Sequence, residues 1–134
     1  MKRFLTILLC LLLLPAGRTS AQSQGGAYDI FQPISRYLGQ GDADKLSAWF
    51  ADNLEITVVS STNDASKNQA RQILKSFFDS YSPQGFSIRQ KTGNGRMRLA
   101  VGKLSAGGEN FTVTILVSSK EHGYLIQQLK IEKR

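Results

Sequence analysis

Cysteine, histidine and long hydrophobic runs are scarce in this sequence: its 134 residues include one cysteine and one histidine. A lone Cys10 excludes an intramolecular disulfide, and because Leu9 precedes it and leucines follow, it does not fit a lipoprotein cysteine. His122 lies in a turn-like stretch and is expected to be solvated, so it is not expected to form a Ser/His/Asp triad. No cluster with the spacing of metal ligands is present in the sequence, and no cofactor is predicted. The longest apolar run, Phe4–Leu14, is shorter than the roughly 20 residues that span a membrane.

That apolar run belongs to a leader. Lys2 and Arg3 precede it and small residues ending at Ala21 follow it, which is the layout of a secretory signal peptide. We therefore predict a signal peptide over 1–21, cleavage near Ala21 and a secreted or periplasmic chain with no membrane span after cleavage. Residues 22–27 are polar and glycine-containing, and are predicted to form a flexible lead-in.

The positive charge is unevenly distributed. The chain carries 17 basic and 10 acidic residues, but three of the basic residues lie in the leader, so the net charge falls from +7 to +4 after cleavage. Residues 22–88 hold five basic and seven acidic residues, whereas 89–134 hold nine basic and three acidic residues. An anionic partner would therefore be attracted to the second half of the chain.

Periodicity predicts three helices in the first half. Asp29 with Gln32 is expected to form a capping box for the first helix, and Asp42 to cap a short second helix. A strand over 54–60 follows, and Ser66 with Gln69 predicts a second capping box. Behind it, apolar residues at steps of three and four predict the third helix, which Pro83 terminates.

After residue 85 the hydrophobic period changes to two. Strands are predicted over 86–91 and 96–104 around an Asn-Gly turn, and over 110–118 and 124–132. The fold class is therefore α+β, with three helices packed on a curved antiparallel sheet in the order α-α-β-α-β-β-β-β. Residues 28–133 form one domain in this interpretation.

The segment from Gln40 to Leu46, which leads through Trp49–Asn53 into a strand, resembles the nuclear-transport-factor-2-like superfamily, with its cystatin-like cone. The chain is more closely similar to a family of short secreted bacterial proteins that carry a domain of unknown function. The resemblance implies a cone with an internal pocket and a broad sheet face that often forms a homodimer. The superfamily includes ketosteroid-isomerase-like and polyketide-cyclase-like enzymes as well as binding domains.

An enzyme of that kind needs a titratable group inside the pocket. Glu55 alternates with apolar neighbours on its strand and Asp79 lies on the polar side of the third helix, so no acidic pair is evident. We therefore expect a non-enzymatic binding domain for a small molecule or a protein partner. The alternative is an isomerase-like or cyclase-like enzyme acting on a small apolar substrate in the pocket, and an envelope adaptor is a third hypothesis.

The first hairpin is expected to carry a basic face. A two-residue loop would set Lys91 opposite Arg98, a four-residue loop would set it opposite Arg96, and both place four cations together: Arg89, Lys91, Arg96 and Arg98. The other face would hold Ile88, Met97, Leu99, Val101 and Gln90. The basic face is either a solvated edge or a patch for an anionic partner. Nucleic acid is disfavoured because no aromatic residues are interleaved with the cations.

The same counting groups the core face of the second hairpin as Phe111, Val113, Val117, Leu125, Leu129 and Ile131, with Gln127 on it opposite Ile115. Either the chain has an ordinary core, or a ligand pocket is lined by Tyr37, Trp49, Tyr81, Gln90 and Gln127. The opposite face would carry Leu116, Tyr124 and Ile126, whose apolar character favours a homodimer contact there.

Overall fold

A computed structural model describes residues 29–120 and 123–134 of the chain. The predicted signal peptide, its cleavage site near Ala21, the lead-in 22–27, Cys10 and His122 lie outside the described residues. The helices are α1 (Phe31–Gln40), α2 (Ala43–Ser47) and α3 (Lys67–Ser80). The strands are β1 (Phe50–Val58), β2 (Ser61–Ser66), β3 (Pro83–Gly93), β4 (Met97–Ala106), β5 (Glu109–Lys120) and β6 (Gly123–Lys133).

The six strands form one sheet in the order β2-β1-β6-β5-β4-β3. All neighbouring pairs are antiparallel except β1 and β6, which are parallel. The predicted α+β class and the four consecutive antiparallel strands after the third helix are confirmed. The prediction missed β2. Its sequence from Ser61 to Ser66 is mostly polar, and four of its six positions are exposed. An edge strand of this kind has no alternating hydrophobic pattern by which it could be recognised.

Capping explains where the helices begin. The Ser66–Gln69 capping box at α3 is confirmed, with bonds of 3.2 and 3.0 Å, and Asp42 caps α2 by accepting from the Lys45 backbone N–H. At α1 the expected capping box is not formed. Instead the Asp29 carboxylate accepts the backbone N–H of Phe31 at 3.0 Å, so it still satisfies one of the unpaired donors at this helix end.

All three helices cover one face of the sheet, which we call the inner face. Helix α1 buries Phe31, Ile34 and Leu38, and α3 buries Leu74 and Phe77. The sheet meets them with a row of buried side chains that runs across four strands: Ile56, Leu129, Ile115 and Ala100. Burial of this continuous apolar layer is the main source of stability for a domain of this size.

The opposite, outer face of the sheet is not covered by any helix of the described chain. Its central positions are half-buried, and Met97, with 48% of its surface exposed, is the most exposed large hydrophobic residue described. No described helix combines the length and apolar character that crossing a membrane requires.

Candidate functional site

The first hairpin closes further along the chain than either predicted loop. Gly93 pairs with Arg98, and Lys91 pairs with Ala100, so the four-residue loop is Asn94–Met97. The Asn94 side chain organises this loop, because its Oδ1 accepts the backbone N–H groups of residues 96 and 97 at 3.0 and 3.2 Å. Both predicted registers were wrong, since the Asn-Gly pair opens the loop and does not occupy its centre.

A β-bulge divides the predicted basic face. The register shifts between Ile88 and Gln90, so Arg89 is the extra residue and leaves the alternation. Ile88 therefore lies on the inner face opposite Gly102, not beside Gln90 on the outer face. Arg96 lies in the turn before β4 and is exposed. Of the four predicted patch residues, only Lys91 and Arg98 share a strand face.

That shared face is the inner one. Lys91 pairs with buried Ala100 and Arg98 pairs with buried Val117, so both cations continue the core rows toward the hairpin end of the sheet. At this end of the sheet Lys91 is exposed and Arg98 is half-buried among the described residues. We call this region, formed by Asp29, Lys91, Arg98 and Tyr124 with Arg96 in the adjoining turn, the basic end of the sheet.

Two contacts hold the basic end together. The Lys91 ammonium lies 2.7 Å from the Asp29 carboxylate, which connects β3 to the start of α1. The Arg98 guanidinium lies over the Tyr124 ring, 4.8 Å from its centroid, and the Tyr124 hydroxyl donates to the backbone carbonyl of Gly95. The aromatic ring therefore links β6 to the β3–β4 turn and is itself covered by a cation.

The Asp29 carboxylate experiences opposing effects. Its partial burial would raise the pKa, but the hydrogen bond from Lys91, the backbone N–H of Phe31 and the positive charges of Lys91 and Arg98 outweigh burial and hold the pKa below its ordinary value. A lowered pKa keeps Asp29 ionised at neutral pH. It also makes this carboxylate a weaker base, the reverse of what proton abstraction requires.

The structure does not bring the five predicted pocket residues together. Tyr37 and Trp49 are half-buried and pack against the core. The Tyr81 ring stacks on the buried Phe77 ring at a centroid distance of 5.1 Å and packs against the core. Gln90 is exposed on the outer face opposite Val101, and Gln127 lies in β6. Of the five, only Gln127 lines one of the two grooves described below, and Gln90 lies on the face of the sheet that the helices do not cover.

A second bulge, at Gln127, reverses the faces predicted for the start of β6. The register shifts so that Leu116 pairs with Gln128 while Val117 pairs with Ile126. Ile126 is therefore fully buried on the inner face, and Leu125 lies on the outer face, the opposite of both expectations. Of the predicted dimer face, Leu116 lies on the outer face, whereas Tyr124 and Ile126 do not.

Gln127 lies where β1 and β6 separate, between the pairs Phe50 with Ile126 and Glu55 with Gln128. Its side-chain nitrogen is buried and has no hydrogen-bond partner among the described residues. A groove of about 370 Å³ is lined here by eight residues: Asn53, Leu54, Glu55, Asp64, Ala65, Ser66, Gln69 and Gln127. Glu55 and Asp64 are directly opposite each other across β1 and β2, a like-charge pairing that is unfavourable by itself.

The acids considered for catalysis lie apart. Glu55 is half-buried in the groove near Gln127, whereas Asp79 is exposed in a separate groove of about 370 Å³ beside Asp42 and Asp44. Asp44 is engaged by Arg71 at 3.0 Å. Within residues 29–120 and 123–134, no three or more His, Cys, Asp or Glu side chains are grouped to hold a metal ion.

Two members of the basic end were not identified from the sequence as such. Asp29 was assigned only a capping role, and it meets Lys91 across 62 positions of the chain, a contact that no local pattern encodes. Tyr124 was placed on the wrong face because the bulge at Gln127 is not visible in an alternating pattern. Two signals in the sequence pointed here: the excess of basic residues after position 88 and the alternation that groups Lys91 with Arg98 on the first hairpin.

The fold is shared with solved structures of low sequence identity. A DUF4783 family protein from Bacteroides uniformis superposes with a TM-score of 0.75 at 18% identity, covering 79% of this chain and 98% of that protein. One from Bacteroides fragilis gives 0.73 at 21% identity, covering 79% and 100%. A cystatin-like domain of unknown function from Nostoc punctiforme gives 0.63 at 9% identity, covering 78% and 72%. No curated protein matches the chain significantly.

The sequence pattern that defines the DUF4783 family, a domain of unknown function, also matches this chain. It matches residues 31–132, which run from the first residue of α1 to the last residue but one of β6. The match confirms the predicted resemblance to a family with a domain of unknown function, and the structural neighbours confirm the predicted cone-shaped α+β fold. The chain belongs to the DUF4783 family, a domain of unknown function with the nuclear-transport-factor-2-like fold.

Proposed function

We propose that the chain is an exported binding domain that holds an acidic segment of a partner protein at the basic end of the sheet. One observation supports this most directly: Lys91 and Arg98 project from one face of the sheet, and a carboxylate, that of Asp29, is already bound there at 2.7 Å from Lys91. Clusters of basic residues recognise acidic motifs through such contacts.

The chemistry of this site favours binding over catalysis. Asp29 has a lowered pKa and is held by two donors, so it is poorly suited to accept a proton from a substrate. Glu55 and Asp79, the acids of the isomerase-like alternative, line different grooves and do not form a pair with each other. We therefore propose no reaction for the basic end.

The surroundings of Tyr124 favour a protein over a nucleic acid as the partner. Arg98 covers the ring and the hydroxyl is bonded to Gly95, so this aromatic side chain is not free for a base to stack on. Lys91, Arg96 and Arg98 are separate cations, and the guanidinium groups can each donate two hydrogen bonds to one carboxylate, which suits an extended chain of carboxylates. Complementary charge of this kind also accelerates encounter between partners.

Charge reversal at the basic end tests the proposal. We expect Arg96→Glu with Arg98→Glu to weaken binding of poly-L-glutamate by roughly tenfold, since each reversed contact contributes a few tenths to about 1 kcal/mol. Isothermal titration calorimetry at low ionic strength measures the affinity, and circular dichroism checks the fold. Arg96→Glu alone, in the exposed turn, replaces the double variant if loss of the Arg98–Tyr124 contact unfolds the protein.

Lys45→Glu with Lys67→Glu is the matched control, because it makes the same charge change at exposed helix positions. Equal losses in both double variants, or unchanged binding in the Arg96/Arg98 variant, would contradict the site. Tight binding of heparin without binding of poly-L-glutamate would replace the acidic protein segment with an acidic glycan.

Export rests on the leader sequence. We expect the chain, expressed with residues 1–21 in a bacterium, to be recovered from the envelope or medium with Gln22 as its first residue, because the small residues before it suit signal peptidase. Intact-mass spectrometry measures the N-terminus. Recovery of the uncleaved chain from the cytoplasm would exclude an envelope role.

A further inference from the structure

The carboxylate of Asp29 occupies the basic end as an external ligand would. One oxygen, Oδ2, lies 2.7 Å from the Lys91 ammonium, and the other, Oδ1, accepts the Phe31 backbone N–H at 3.0 Å. The positive charge of Arg98 acts on the same carboxylate. All the polar atoms of this side chain are therefore used in the manner expected for a bound carboxylate.

We infer that Asp29 is an internal competitor: it occupies Lys91 and screens Arg98, and the partner's carboxylates bind by displacing it. This inference rests on the proposed function, since it assigns a specificity role within the same site. It names the ligand chemistry as several carboxylates presented together, because a single carboxylate would only exchange one ion pair for an equivalent one.

Exposure makes the displacement feasible. The Asp29 side chain is 33% exposed and that of Lys91 50% exposed, so solvent and a ligand can reach both sides of the pair. Ion pairs at such exposed positions contribute little to stability, because water screens them and long side chains lose conformational freedom when fixed. A segment that also engages Arg98 and Arg96 therefore replaces the internal contact at small cost.

The test removes the competing charge and keeps the helix cap. Asn at position 29 still offers an oxygen to the Phe31 N–H but cannot form the ion pair with Lys91. We expect Asp29→Asn to bind poly-L-glutamate roughly two- to fivefold more tightly than the unaltered chain. Calorimetry under the conditions used for the arginine variants measures the change, and Asp29→Ser, which also retains a capping oxygen, provides a second variant.

Asp64→Asn is the matched control, because it removes one negative charge from an exposed strand position on β2, at the opposite edge of the sheet from β3. An equal gain in the control, or no gain in either Asp29 variant, would overturn the inference. If the Asp29 variants show no gain but the unaltered chain binds and the arginine variant does not, the inference about Asp29 fails and the proposed function stands. If neither the unaltered chain nor the Asp29 variants bind, both proposals fail together.

Discussion

Val59 adopts a left-handed backbone conformation, with φ of 61°, in the turn between β1 and β2. A β-branched residue is rarely found there because its Cβ crowds the backbone, and such residues carry about 1–3 kcal/mol of strain. Two contacts hold it in place: its N–H donates to the Ile131 carbonyl at 2.7 Å, and its side chain packs against the core. The residue's conformation is thus imposed by its tertiary surroundings.

Val59→Gly is therefore expected to change the free energy of unfolding by less than about 1 kcal/mol, because relief of strain offsets the lost apolar contact. Val58→Gly, the matched control in the adjacent strand position, has no such relief and should lose about 2 kcal/mol. Urea denaturation of both variants measures the difference. Equal destabilisation would mean that the left-handed backbone at Val59 stores no strain.

At the scale of elements, the helices were predictable from the sequence and the strand faces were not. The Ser66–Gln69 capping box and the apolar spacing behind it are local signals, and α3 begins as they indicate. Strand faces depend on counting by two, and one inserted residue reverses every assignment beyond it. The bulges at Arg89 and Gln127 have this effect: Ile88 was misplaced on one side of the first bulge, and Leu125 and Ile126 on one side of the second.

The candidate site was likewise predictable in its local features and not in its contacts between distant residues. Its cations were identified from the sequence, because an excess of basic residues in one half of the chain requires no knowledge of register. Alternation along the strands also predicted that Lys91 and Arg98 share a face. The pairing of Lys91 with Asp29 and the position of Arg98 over Tyr124 depend instead on which distant residues the fold brings together. Contacts between residues distant in sequence are where composition and periodicity carry least information.

At the scale of the whole molecule, the two faces of the sheet differ in what they can offer a partner. The described helices cover the core of the inner face, and at its basic end Lys91 is exposed among the described residues. The outer face, which no described helix covers, presents five hydrophobic side chains in neighbouring positions: Met97, Leu99, Val101, Leu116 and Leu125. Leu99 and Leu116 are directly paired. Charged side chains of this face include Lys103 and Lys130, each two residues beyond a position of the apolar rows, Val101 on β4 and Gln128 on β6.

We propose that a second copy of the chain covers this outer face, since the cores of protein interfaces are apolar and depleted of charge. Leu116→Glu is expected to convert a dimer to a monomer in analytical ultracentrifugation, because the contact would bury a charged side chain from each copy where it now buries paired leucines. Ser76→Glu, an equal charge change on exposed helix α3, should leave the dimer intact. A monomeric unaltered chain would refute the contact. Because the basic end lies on the inner face, dimerisation would leave both copies of it open, and one dimer would then present two sites to an acidic partner.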